Sequence, residues 1–386
     1  MIDRYSNRPA AALHFKPDVG NVVAVCLIVA LSLAVAFPAV AHIVEESKLD
    51  GCKRNLVVLG KVLAVYQVGS NNAWPIVSTR PILGPPGVTT AQAEKRTAEV
   101  RRKDAGAPAY SASGYSWIAM LLPYYGEEPL YRTMNARSRR FVDDAFDVRL
   151  RGDDGEHVSM HALEFFHCPA FEGKSEPNWT SSAPEYKDLV KSLDLPAESK
   201  GGVALTNYVA VTATHLDLAL NPQPKTDEEK PNGVIVYSER MRGVAKIADG
   251  DSNTIVISET REPNYASWLD GTTSWVVAHN PNSKPPVASK DHKGRWVCRE
   301  EDGCRDALNV GPRGDGSLDY YYREKWAGQE PWQFGPSSMH EGHRINHLFG
   351  DKHVASIVAS GPNAISANVY LALVTRNGGE DEKYSE

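Results

Sequence analysis

The residues best suited to chemistry lie near the C-terminus, where His340, His343, His347 and His353 fall close to Glu341 and Asp351. Imidazoles grouped in this way can hold a divalent metal. On a helix, His343 and His347 would share one face at i,i+4. The run His340-Glu341-Gly342-His343 is, however, one residue short of the H-E-x-x-H zincin spacing. Arg344 to Phe349 also reads as a strand, so a polar hairpin accounts for the histidines more simply. A second candidate is Asp249-Gly250-Asp251-Ser252-Asn253, in which Asp249, Asp251 and Asn253 offer oxygens at alternate positions. The glycine and the distal glutamate of a calcium loop are missing. A turn whose Asp and Asn side chains bond local backbone explains that segment. No cofactor is therefore expected. Calcium at the aspartates, or a transition metal at the histidines, is the alternative.

Other catalytic patterns are absent. The chain has no G-x-S-x-G elbow, no phosphate-binding Gly-rich loop ending in Lys-Ser/Thr, and no G-x-G-x-x-G after a strand. Carboxylates are scattered rather than paired, and the expectation is that the protein is not an enzyme. Tyr320, Tyr321, Tyr322, Trp326 and Trp332 form an aromatic group that could stack on a sugar or peptide. Such groups more often pack a long loop onto its domain.

Five cysteines are present. Cys26 lies in an apolar run and reads as a small hydrophobe. Cys52, Cys168, Cys298 and Cys304 are an even set suited to an oxidising compartment. Cys298 and Cys304 bracket a short loop containing Asp302-Gly303 and suit a local disulfide, which leaves Cys52 and Cys168 as a long-range staple. Three pairings exist for four cysteines, and spacing does not choose among them. No C-x2-C pair signals a zinc site.

The elements that would position these residues begin with the stretch from Gly20 to Ala41, which carries no charge. As a helix it is long enough to cross a bilayer core of about 30 Å. Arg4, Arg8 and Lys16 precede it, whereas Glu45, Glu46 and Asp50 follow. The positive-inside bias thus favours a cytoplasmic segment 1–19, a membrane segment 20–41 and an exported remainder. Ala39-Val40-Ala41 also resembles a signal-peptidase site, which would export the body as a released domain. From Val44 to Val68 an amphipathic continuation is expected. Leu49, Cys52, Leu56, Leu59, Leu63 and Tyr66 repeat at steps of three and four and form one stripe. Gly51 and Gly60 are places where that helix could bend.

Residues 69–377 read as a loop-rich α+β body. A short helix is expected from Ala91 to Arg102, and a broken apolar segment from Ser116 to Tyr131. Strands are expected at Asn207 to Thr212, Gly233 to Tyr237, Thr254 to Ser258, Ser274 to Ala278, Ile345 to Phe349 and His353 to Val358. Residues 279–336 look like an insertion, and the acidic tail 378–386 is expected to be disordered. One long helix followed by strand runs points to an antiparallel sheet packed on the helix. A net charge of −6 and a pI near 6.1 leave no basic footprint, so no nucleic-acid partner is expected.

Several segments resemble a bacterial prepilin-like family named for a C-terminal His-x9-Asp-Gly motif, catalogued as of unknown function and also as a solute-binding group. They are Phe37-Pro38-Ala39-Val40, Cys52-Lys53-Arg54-Asn55-Leu56, Ser116-Trp117 with Leu121-Leu122-Pro123-Tyr124, Phe166-His167-Cys168-Pro169 and Thr206-Asn207-Tyr208. Asp249-Gly250-Asp251-Ser252-Asn253-Thr254-Ile255 and Leu373-Val374-Thr375-Arg376-Asn377-Gly378-Gly379-Glu380 complete the series in the family's order. Two departures stand out. Lys16-Pro17-Asp18-Val19, then Asn21, replace the family's processing site and its following glutamate. His340 and Asp351 enclose ten residues, and Lys352 replaces the motif's glycine. The resemblance implies a pilin-like α+β fold, in which a long N-terminal helix packs on an antiparallel sheet with large insertions. It also implies an exported, single-pass, type II secretion-like envelope protein that could self-assemble through the helix, with no catalytic residues. The alternative function is an extracytoplasmic binding module for a sugar, peptide or metal.

Overall fold

The computed structural model of the protein describes residues 19–79, 114–134, 158–171, 204–214, 216–219, 230–238, 240–261, 266–271, 273–278, 335–359, 363–365 and 367–378. The expected helix at Ala91 to Arg102, the Cys298/Cys304 pair and the aromatic group at Tyr320 to Trp332 lie outside the described residues. So do most of the insertion, most of the tail and residues 1–18.

Helix α1 runs from Val19 to Gly69 with Pro38 inside it. The chain divides into two compact units, Met1–Ser47 and Lys48–Glu386. In the first, Val22, Val25, Leu27, Ile28, Leu31, Leu33 and Phe37 are all exposed. Ser32 returns its hydroxyl to the Ile28 carbonyl at 2.7 Å, which satisfies a polar group without water. This stretch is long and apolar enough to cross a membrane, and none of its most apolar window is buried.

In the second unit α1 changes character. Leu49, Cys52, Leu56, Leu59 and Leu63 are buried, as the three-and-four spacing requires. The helix does not break at Gly51 or Gly60. Glycine serves close approach at both: a Cβ at 51 would stand 2.9 Å from Pro169 Cγ, and one at 60 would stand 3.1 Å from Leu348 Cδ1. The helix ends where Asn71 and Asn72 take left-handed φ of 55° and 62°.

Among the described residues five strands form one sheet: β1 (Tyr208–Ala213), β2 (Ile255–Glu259), β3 (Trp275–Val277), β4 (Arg344–Phe349) and β5 (Val354–Val358), in the order β3-β1-β2-β4-β5. The sheet is largely antiparallel, as expected, but is mixed at one edge, where β3 lies parallel to β1 with Ala210 opposite Trp275. The other three pairings are antiparallel. The expected strand at Gly233 to Tyr237 does not form. Val234, Ile235 and Val236 are buried, but Val236 bonds irregular backbone, its carbonyl accepting from Val77 N.

Strand alternation sends side chains to two covered faces. Tyr208, Ala210, Ile257 and Leu348 join Leu56, Leu59 and Leu63 of α1 in one cluster. Val209, Val211, Phe349, Ala355 and Ile357 pack with Tyr370, Leu371 and Leu373 of the C-terminal helix Ala367–Val374. Each buried Val, Leu, Ile or Phe among them contributes about 1.5–3 kcal/mol relative to exposure. A third group of short helices flanks the first cluster. α2 (Trp117–Leu121) is capped by Ser116, whose Oγ accepts from Ile118 and Ala119 N, and α3 spans Glu128–Met134.

Candidate functional site

The polar residues on the α1 face of the sheet converge at the ends of β2 and β4. Strand β2 runs Ile255-Val256-Ile257-Ser258 before its last residue, Glu259, which stands opposite Tyr208 in the register and is 1% exposed. Its carboxylate is held by strand β4, since Asn346 donates its backbone N–H to Oε2 at 2.9 Å and its amide Nδ2 to Oε1 at 3.0 Å. Ser356 of β5 in turn donates to Asn346 Oδ1 at 2.5 Å, which fixes the amide's orientation. Burial, and then the Glu259 charge, push the Tyr208 phenol well above its ordinary range.

His340 enters from the segment preceding β4, its backbone N–H bonded to Ser338 Oγ. The imidazole Nε2 lies 3.4 Å from Glu259 Oε1, 3.4 Å from Asn346 Nδ2 and 3.5 Å from Cys168 Sγ. The two nitrogen–oxygen and nitrogen–nitrogen distances are longer than an ordinary hydrogen bond of about 2.7–3.2 Å. Cys168 is disulfide-bonded to Cys52 of α1, with Cα atoms 5.0 Å apart and 116 residues between them in sequence.

The disulfide is clamped from both sides. Asn207 accepts from Cys168 N at 3.0 Å and donates to Thr260 O at 3.1 Å. Asn55 donates to His167 O at 2.8 Å, and Tyr208 donates its hydroxyl to Cys52 O at 3.3 Å. Cys52, Cys168, Glu259 and His340 thereby place donor atoms within 4.8 Å of one another, and all four residues are buried. A carboxylate, an imidazole and two sulfurs converging in this way form a donor set of the kind that can hold a metal ion.

The other sequence-derived candidates go elsewhere. His347 is on β4, not a helix, and points to the opposite face from Asn346. Its Nδ1 meets the Ile345 carbonyl at 2.9 Å and its Nε2 meets the Tyr370 hydroxyl at 2.9 Å. A carbonyl only accepts, so Nδ1 carries the proton and Nε2 accepts from Tyr370. Burial holds this imidazole down to about 3, hence neutral, and pushes the Tyr370 phenol up. His343 takes a left-handed φ of 57° ahead of β4. Among the described residues, the group with convergent donors contains His340 but neither His343 nor His347.

The Asp249 segment is fastened to the stretch that follows the C-terminal helix. Asp249 Oδ2 accepts from Gly378 N at 2.6 Å, Asn253 Nδ2 donates to Asp249 O at 3.3 Å, and Thr254 Oγ1 donates to Gly250 O at 3.2 Å. Ser252 lies with Asp251 and Asn253 in a single 3-10 turn after Gly250. Asp351 sits in the β4–β5 turn, bonded to His353 Nδ1 at 2.5 Å. Lys352 holds φ 77° in that turn, and its Nζ lies 3.8 Å from the centre of the Trp74 ring. Burial lowers its ammonium to about 8, against the pull of Asp251 and Asp351.

Sequence patterning missed Glu259 and Asn346. One signal was present: a carboxylate closing the β-type run Ile255-Val256-Ile257-Ser258-Glu259, which holds no other charge.

These features define an α+β protein with a membrane-length N-terminal helix and, among the described residues, a mixed five-stranded sheet beside which a disulfide, a histidine and a carboxylate converge. Residues 85–361, well over half of the chain, match the family SBP_bac_10, described as a protein of unknown function (DUF1559), and the chain belongs to that family. No curated protein and no solved structure matches it.

Proposed function

We propose that the protein is a non-catalytic, single-pass envelope protein of pilin-like organisation, anchored by the apolar half of α1 and presenting residues 48–386 outside the cytoplasmic membrane. The observation that carries this is the change of character along one helix. Its first half exposes aliphatic side chains on every side, whereas its second half buries only one stripe in the body. A helix that is apolar all round needs lipid or other helices around it. The Cys52–Cys168 disulfide agrees with an exported body, since such bonds persist in oxidising compartments. Self-assembly through the apolar half extends the proposal, because helix packing in lipid needs only shape complementarity.

The test is fractionation with topology. The protein should stay in membranes washed with alkaline carbonate, and protease added outside intact spheroplasts should remove the body. Release by carbonate, or full protection from the protease, would contradict the proposal.

The solute-binding label carried by the family favours a second reading, a surface binding module. A calorimetric screen of sugars and peptides against the full chain tests it, with saturable heat expected and none counting against it.

A further inference from the structure

We propose that Cys52, Cys168, His340 and Glu259 form a redox-gated zinc site, closed to metal while the disulfide stands and tetrahedral once it is reduced. The inference goes beyond the anchoring role and does not rest on it.

The distances carry the argument. A tetrahedral zinc with bonds of about 2.0–2.1 Å to nitrogen and oxygen and about 2.3 Å to sulfur sets nitrogen–oxygen edges of about 3.4 Å and nitrogen–sulfur edges of about 3.6 Å. His340 Nε2 stands 3.4 Å from Glu259 Oε1 and 3.5 Å from Cys168 Sγ. The nitrogen–oxygen separation is long for a hydrogen bond, and both separations match edges of one coordination tetrahedron. The fourth ligand, Cys52 Sγ, lies within the same 4.8 Å group.

The surroundings have the form of an outer shell. Asn346 orients both oxygens of Glu259 and is itself held by Ser356. Asn207 fixes the backbone of Cys168, and Tyr208 that of Cys52. Outer partners of this kind orient metal ligands. Two thiolates, an imidazole and a carboxylate with no open position make a structural zinc centre rather than a catalytic one.

The redox step balances with a dithiol as reductant. The dithiol passes two electrons and two protons to the Cys52–Cys168 bond, giving two thiols and an external disulfide. Zinc binding then displaces both thiol protons and forms two zinc–thiolate bonds. The net charge of the bound group becomes −1, and the ion neutralises the buried Glu259 carboxylate, which otherwise accepts from the Asn346 backbone and side-chain amides.

The test uses the full chain in detergent, with Cys26→Ser, Cys298→Ser and Cys304→Ser leaving one pair of sulfurs. Zinc content is measured after desalting, for protein kept oxidised and for protein reduced by a water-soluble phosphine. One zinc per reduced chain is expected, bound at least about 100-fold more tightly than by the oxidised chain, with cobalt giving a sulfur-to-metal charge-transfer band. His340→Gln should weaken binding by at least about 10-fold, as loss of a supporting group does at known sites. If the triple variant does not fold, the His340→Gln comparison on the natural chain decides the question. Equal zinc in both redox states, a cobalt spectrum without the sulfur band, or unchanged affinity in His340→Gln would overturn the proposal.

Discussion

His347 illustrates how a residue suited to metal chemistry becomes a structural one. Both ring nitrogens are used, one on a backbone carbonyl and one on Tyr370, and the ring is fully buried. Tyr370→Phe would keep the shape and leave Nε2 without its donor, at a cost of about 1–3 kcal/mol. Urea unfolding at pH 7 should show that loss. Protonation gives a second prediction. His347 and His167 are both held down to about 3, chiefly by burial, with neighbouring Asn207 opposing the effect at His167. In the unfolded chain the same groups take up protons below about pH 6.5. The unfolded state therefore binds more protons between about pH 3 and 6.5, so stability rises with pH through that window and levels off above it. Between pH 7 and 5, where most carboxylates stay ionised, each histidine should cost up to about 2 kcal/mol. Urea midpoints measured across this range should fall toward pH 5, and a flat profile would contradict the burial of both rings.

Elements were legible where one rule dominates. The stripe Leu49, Cys52, Leu56, Leu59, Leu63 follows helical period, and five of the six expected strands match observed ones within a residue or two. Gly233 to Tyr237 was misread because a run of β-branched residues marks burial as readily as pairing. The parallel placement of β3 was hidden because three residues carry no sign of their partner. The helix glycines carry a prediction of their own. In a free helix Gly→Ala gains about 1 kcal/mol. At 51 the new methyl would strike the Pro169 ring next to the Cys168 disulfide, so Gly51→Ala should lower the melting temperature despite that gain. The disulfide joins the same two segments across 116 residues, and Cys168→Ala should cost about 2–5 kcal/mol by denaturant titration.

At the scale of the whole molecule, the sequence offered Cys52 with Cys168 and, separately, His340, but their convergence with Glu259 was not legible because the four stand at positions 52, 168, 259 and 340 and only the folded chain brings them together. The segments that resemble a known family proved informative in another way. Asn55, Ser116, Asn207, Asp249 and Arg376 each bond backbone far away in the chain, so they fasten separate stretches of a loop-rich body. The central claim is that this body is exported on a retained helix. Its most direct test is the N-terminal sequence and intact mass of the protein purified from native membranes. A membrane-bound chain that keeps Val22 to Phe37, beginning near Met1, is the predicted result. A soluble chain beginning at His42 would mean that the apolar half is removed, and would contradict the anchor.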